Sequence, residues 1–443
     1  MKYKQKQTIK RKLKNKTKKK GQLHHSHHSH HSHNTLIQTH KPIYEKQYVL
    51  LPILKGGKFV DRGGYGCVVT PAISCSSSDI NLDKSVSKIV RNPDNSDVST
   101  ELKISDFLKK IDPLQTYFIT YNKQCHIHNI PKDRTDLISV KYKDDDMTKY
   151  YIVKDRKDKD RKDSNSIYNT KKDKNVCDIE LDLNPLNLIM KHGGHSLSKI
   201  MKVNRKTKGI AAEMHQLFVD DLKYYFKHLI IGLIKMHENK IVNRDIKQRN
   251  ILLKMDEHGK NDKQLMEIRY IDFGLSDIIT SNMYNIKNIT VLKGTYFYLS
   301  PEIFISYIVA KYYNRSRNYQ MKNIMAKINK NVKSALYIIN EKESINSLNK
   351  TIETLYNKIK YLFDKDKLLE AYFGYENKKY NGYVQKADVY ALGITIFETL
   401  HNYSHIDINK NVKLYNLLKN MINLDSDKRY NAIQCLSHPY FTS

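Results

Sequence analysis

Asn243-Arg244-Asp245-Ile246-Lys247-Gln248-Arg249-Asn250, followed by Asp272-Phe273-Gly274, is the stretch that decides the reading of this chain. Within thirty-two residues it supplies the carboxylates of Asp245 and Asp272, the Lys247 ammonium and the Asn250 carboxamide. Carboxylate and carboxamide oxygens are hard ligands suited to divalent ions that travel with phosphate. A carboxylate beside them can accept a hydroxyl proton. Two short apolar runs, Asn250–Leu253 and Ile268–Ile271, flank the segment and read as short strands. The polar stretch between them, Lys254 to Glu267, reads as an enlarged surface loop. Upstream, Leu217, Leu222, Phe226, Leu229, Ile230 and Leu233 recur at three- and four-residue steps, which predicts a helix over 214–238.

Further upstream, Asp61-Arg62-Gly63-Gly64-Tyr65-Gly66-Cys67-Val68 reads as a glycine-rich turn between two strands. Glycine is needed where a backbone closely approaches another group and a Cβ would collide. Val86-Ser87-Lys88-Ile89-Val90 follows as a strand carrying one lysine, with Lys84 as an alternative. Glu101 then opens an amphipathic stretch with Ile104, Phe107, Leu108 and Ile111 on one face. Its carboxylate would also complement a helix N-terminus without any further role. Downstream lie Gly294-Thr295, Ser300-Pro301-Glu302, Lys386-Ala387-Asp388, Asp427-Lys428-Arg429 and His438-Pro439-Tyr440-Phe441.

Composition narrows the class. The chain has 443 residues, 40% of them hydrophobic, enough for a large core. No apolar run is long enough for a membrane-spanning helix, and no apolar stretch follows the basic N-terminus as a secretory signal would require. Five cysteines, odd in number and scattered without a Cys-x-x-Cys, predict reduced thiols inside a cell. The net charge of +31 attracts polyanions but names none. Residues 1–44 contain no Asp or Glu, and residues 2–20 hold eleven Lys or Arg. Such a tail predicts disorder. It is either a nuclear-targeting or polyanion-binding arm or merely a solvated segment. The His-His-Ser repeat over 24–33 can chelate transition metals, yet a flexible repeat lacks the fixed geometry of a dedicated site. The charged stretch 154–176 predicts a surface loop.

Taken in order, these motifs resemble the eukaryotic-type Ser/Thr protein kinase family over roughly residues 55–442. The Gly-Gly-Tyr-Gly loop and the Lys/Asn/Ile-rich composition narrow the resemblance to divergent kinases of large DNA viruses. The resemblance implies an α+β, bilobal fold. Its β-rich small lobe would span about 48–190, its mainly helical large lobe about 191–442, and an insertion about 308–380. It implies ATP and Mg2+ as cosubstrate and cofactor, and protein Ser/Thr hydroxyls as acceptors. Location would be cytoplasm, nucleus or virion.

The resemblance also assigns roles. Asp245 would be the catalytic base and Lys247 the contact to the γ-phosphate; Asn250 and Asp272 would hold the metal ions. Val60, Gly63, Gly64, Gly66, Val68, Lys88 and Glu101 would form the ATP site, with Lys88 paired to Glu101. Leu188–Gly194 would be the hinge against the adenine edge. Glu302 would pair with Arg429, and Asp388 would hold the catalytic-loop backbone. Lys247-x-x-Asn250 and Thr295 point to Ser/Thr rather than Tyr acceptors. Arg244 could capture a phosphate on the 272–302 segment, where Thr280, Ser281, Tyr284 and Thr290 are candidates.

Three departures stand out. Asp61 occupies the first glycine position, Asn243 the usual histidine position, and eighty-six residues separate Glu302 from Asp388. The helical spacing of 318–370 predicts helical insertions, serving as a docking element or as accreted surface. Two rival readings remain. One is a pseudokinase scaffold on the same fold; the other is a nucleic-acid-binding protein, whose binding would weaken steeply with salt.

Overall fold

The computed structural model describes residues 58–62, 66–75, 82–90, 96–127, 138–144, 147–151, 177–180, 185–202, 209–255, 266–312, 345–374, 382–401 and 408–442. The basic and His-rich tail, Gly63, Gly64, the charged stretch 154–176 and residues 313–344 lie outside them. Strands β1 (Lys58–Arg62), β2 (Gly66–Thr70), β3 (Ser85–Val90) and β4 (Tyr121–His126) come first in the chain. Strands β5 (Ile138–Asp144), β6 (Met147–Tyr151), β7 (Cys177–Glu180) and β8 (Leu186–Lys191) follow.

The main sheet runs β1-β2-β3-β8-β4, antiparallel throughout. β8 is inner and buries Leu186, Asn187, Leu188 and Ile189, while β4 at the edge is largely exposed. The position of Gly66 is dictated by the β2–β3 approach, since a Cβ there would lie 1.9 Å from the Ile89 carbonyl oxygen. A separate sheet, β6-β5-β7, was not foreseen from the sequence; β5 and β7 run parallel. Among the described residues of this part, one helix, Ser96–Ile111, buries Val98, Glu101, Ile104, Ser105 and Leu108.

The cysteine expectation is corrected here. Cys75, in the loop after β2, is bonded to Cys125 on β4, with Cα atoms 5.7 Å apart. Cys67 is also disulfide-bonded, and Cys435 is free and buried. Asn187 of β8 lies between the Cys75 loop and β4, donating its amide to Ile73 O at 2.8 Å. Folding thus brings together sulfurs fifty residues apart in sequence. Spacing along the chain carries no trace of that approach.

The remainder is mostly helical, with short paired strands β9 (His195–Ser196), β10 (Ile241–Val242), β11 (Ile251–Met255), β12 (Met266–Tyr270) and β13 (Asp277–Ile278). β11 pairs with β12 and β9, and β10 with β13. The foreseen strand pair is present, each strand reaching two residues further toward the loop and stopping one residue short at its other end. The helix expected over 214–238 is two: Ile210–Asp220 and Leu222–Glu238. Asp221, at φ −132° and ψ 45°, leaves the helical region and caps the second. Helix Tyr383–His401 is buried on nearly all sides, which explains why it shows no amphipathic stripe.

Residues 308–312 belong to the helix Pro301–Tyr312, whose Ile308 and Val309 are buried. Helix Ile345–Asp364 packs Ile352, Leu355, Tyr356 and Ile359 against Ile303, Phe304 and Val309 in one apolar cluster. Helix Leu368–Phe373 adds Tyr372 and Phe373 to it. The described part of the insertion therefore completes a core. No helix among the described residues is long and apolar enough to cross a membrane.

Candidate active site

Lys88 projects from β3, where its strand neighbours Ile89 and Val90 are buried, leaving the ammonium at the sheet face. Its Nζ donates to Glu101 Oε1 at 2.6 Å and to Asp272 Oδ1 at 2.9 Å. Glu101 is 2% exposed, so this carboxylate is no solvated helix-end charge. Tyr121 on β4 donates its hydroxyl to the same Glu101 oxygen. Burial alone would depress the Lys88 ammonium, but Tyr121, Glu101 and Asp272 hold it well above the ordinary lysine range. Burial pushes the Asp272 carboxyl up; Lys88, aided by Lys247, more than reverses this, and the net direction is down. The three groups therefore stand as an ammonium between two carboxylates.

Asp272 itself sits at φ +62° and Arg244 at φ +65°, in the left-handed region that non-glycine residues rarely occupy. The Arg244 backbone is over-determined by Asp388. Its Oδ1 accepts the Arg244 N–H at 2.8 Å, and its Oδ2 accepts the Asn243 N–H at 2.7 Å. His237 Nε2 lies 3.2 Å from the same Oδ2. Asn243 Oδ1 accepts the Asp245 N–H at 3.0 Å, and Ser276 Oγ donates to the Asn243 carbonyl at 3.0 Å. Asparagine thus serves the loop by accepting a backbone N–H, although its buried Nδ2 has no partner among the described residues.

Asp245 is 6% exposed and collects donors. Asn250 Nδ2 donates to its backbone O and to Oδ2, both at 2.9 Å. Lys247 Nζ donates to Oδ2 at 2.7 Å and also to Thr295 Oγ1 at 2.8 Å. The Thr295 N–H and hydroxyl donate to Oδ1 at 3.1 and 2.5 Å. Gly294, at φ +119°, permits this close return of the chain; a Cβ there would lie 2.6 Å from the Arg244 carbonyl oxygen.

The structure thus unites Lys88, Glu101 and Asp272 in one cluster and Asp245, Lys247 and Asn250 in another, with the Lys247 charge reaching Asp272. Val60 lies on β1, and Gly66 and Val68 on β2. Gly63 and Gly64 fall outside the described residues. At the end of β8, Gly194 (φ +87°) has no room for a Cβ, which would lie 2.0 Å from Leu253 O. The foreseen pairing of Glu302 with Arg429 is present: both are fully buried, with Nη2 to Oε2 at 3.0 Å and a second contact through Nη1.

Sequence reasoning missed Tyr121, Asp277 and Lys293. Arg244 Nη1 pairs with Asp277, which also accepts from Lys293 at 3.3 Å. Nothing distinguished Asp277 from other loop acids, and Tyr121 stood unremarked on a polar strand.

Residues 186–367 match the protein kinase domain family. That span is under half of the chain; it holds Asp245, Lys247, Asn250 and Asp272 but not Lys88, Glu101, Asp388 or Arg429. With mixed helices and sheets, it fits an α+β kinase fold. The chain is also similar to serine/threonine-protein kinase CG17528 of Drosophila melanogaster, 35% identical over 79 residues, 18% of this chain and 9% of the relative. A second relative is "Probable serine/threonine-protein kinase fhkE" of Dictyostelium discoideum, 34% identical over 87 residues, 20% of this chain and 11% of the relative. The chain spans about a tenth of the length of these relatives. A kinase domain implies a nucleotide and a protein substrate.

Proposed function

We propose that this chain is an active, bilobal Ser/Thr protein kinase, transferring the γ-phosphoryl group of ATP to protein hydroxyls in the presence of Mg2+. One observation carries the reading: the Lys88 ammonium bridges Glu101 and Asp272 at 2.6 and 2.9 Å, so a sheet lysine meets the acid of the Asp-Phe-Gly turn. In this reading the β-rich lobe and the helical lobe enclose ATP. Lys88 pairs with the α- and β-phosphates and is held in place by Glu101. Asp245 accepts the proton of the attacking Ser or Thr hydroxyl. That oxygen bonds to the γ-phosphorus while the bond to the bridging oxygen of ADP breaks. Lys247, fixed between Asp245 and Thr295, offsets the charge on the transferring group.

The oxygen ligands fit Mg2+, which takes one or two protein oxygens and the rest from phosphate and water. Asp272 offers a carboxylate. Asn250 commits its Nδ2 to Asp245, which leaves its oxygen as the donor atom. When bound there, the ion neutralises phosphate charge. Little covalent work is left to the protein; positioning and charge stabilisation carry the rate.

The test is incorporation of labelled γ-phosphate into a panel of Ser/Thr proteins with magnesium-ATP. Asp245→Asn should lose roughly 10²–10⁴-fold, the range for a general base. If wild type incorporates no more than Asp245→Asn, catalysis is excluded; retained nucleotide binding would then leave a scaffold.

A further inference from the structure

Beside the Asp245 network lies a groove of about 690 Å³, lined among others by Lys202, Lys247, Arg249, Thr295, Tyr298 and Glu398. Its size suits a few residues of extended peptide. Lys247 and Thr295 on its wall are the residues bonded to Asp245, so an occupant would lie against the proposed base. The charges on the wall are unequal. Lys247 is neutralised by Asp245 at 2.7 Å. Glu398 accepts the Tyr298 hydroxyl at 2.6 Å, which engages one of its oxygens. Lys202 and Arg249 are exposed, and neither forms an ion pair with a carboxylate among the described residues.

Arg249 has a particular geometry. It lies in the 3-10 turn Gln248–Asn250, whose two flanking residues are buried. Gln248 donates to Thr399 Oγ1 at 3.2 Å and Asn250 is tied to Asp245. The backbone carrying Arg249 is therefore fixed on both sides, and its guanidinium faces outward beside the acceptor position. A guanidinium presents a planar fork suited to bidentate contact with a carboxylate or phosphate. Lys202 follows the short helix Leu197–Ile200, whose Leu197 and Ile200 are buried. It adds a second cation on the same groove.

We propose that this groove selects acceptor segments bearing an anionic side chain, carboxylate or phosphomonoester, close to the Ser or Thr, with Arg249 and Lys202 as the specificity determinants. The proposal rests on the kinase reading for the meaning of the groove, and the test separates the two. Fluorescent peptides with the acceptor Ser replaced by Ala carry flanking Asp, flanking phosphoserine, neutral or Arg residues. Their binding to the full-length chain is measured by anisotropy at physiological salt. Because the basic tail is present in every sample, its contribution cancels between wild type and variants.

The anionic peptides should bind wild type more tightly than neutral or Arg peptides. Arg249→Glu and Lys202→Glu should each weaken them by about five-fold, the equivalent of ~1 kcal/mol for one exposed charge contact, and the double reversal should favour the Arg peptide. Arg249→Gln should give a smaller loss of the same sign. A phosphoserine advantage over Asp identifies phosphate as the better ligand; equal binding identifies charge alone. If wild type ranks the Arg or neutral peptide first, or charge reversal leaves the ranking unchanged, the proposal is overturned. A parallel assay with Ser peptides reads the kinase reading separately: ranked binding without any transfer sinks catalysis and leaves the groove.

Discussion

Breaking the Glu302–Arg429 pair should be the costliest single change in the helical part of the chain. Both side chains are wholly buried. Arg429 makes two contacts to the carboxylate, donates Nε to Asn423 O at 2.9 Å and lies 4.9 Å from the centre of the Tyr390 ring. Arg429→Met would leave Glu302 with the Ser300 hydroxyl, at 2.8 Å, and no directly paired cation. An orphaned charge of this kind costs about 3–5 kcal/mol, and the stranded Asn423 carbonyl adds roughly 1 kcal/mol. Because the entropy of unfolding scales with chain length, each kcal/mol lowers Tm of a domain this large by only about 1–2 °C, so the drop should be roughly 5–10 °C. Glu302→Leu should cost a similar amount by stranding the guanidinium. The double variant Glu302→Leu/Arg429→Met buries only apolar groups and should recover most of the loss, because a buried pair is worth little against a hydrophobic replacement. Thermal unfolding followed by circular dichroism gives all four values. A Tm for Arg429→Met within about 2 °C of wild type would refute the reasoning, as would a double variant whose loss equals the sum of the singles.

Two further outcomes are expected. Tyr121→Phe removes a hydrogen bond to the Glu101 carboxylate; such bonds are worth about 1.5–3 kcal/mol. Labelled-phosphate turnover should fall mainly in kcat, with acceptor KM little changed; an unaltered kcat would show that Lys88 and Asp272 fix Glu101 without it. Burial depresses His192, His195 and His228 below the ordinary value of 6.5, with nearby cations adding to the effect. The unfolded chain then binds protons more readily, so stability is complete above about pH 6.5 and is lost as pH falls toward the depressed values. Tm measured from pH 7.5 to 5.5 should fall on acidification, and a flat or rising profile would contradict this assignment.

What the sequence by itself determined was local chemistry at fixed spacing. Asp245, Lys247 and Asn250 fall within one turn of loop, and the flanking apolar runs are short and separated by a polar stretch, so residue order was enough to read them. The lysine on β3 was legible because it is the one charged residue in a short run of small and β-branched residues. Only tertiary structure decided what that lysine meets. Glu101 lies thirteen residues from Lys88 and Asp272 lies 184, and the bonds between them exist because a helix and a turn pack on the same sheet. The same holds for the Cys75–Cys125 bond, the capture of Arg244 by Asp277, and the burial of helix 345–364 against 301–312. Each is a contact between segments that the chain order leaves unrelated. Hydrophobic pattern shows that a face will be buried; it does not say against which partner, because apolar burial is nearly indifferent to the partner's identity.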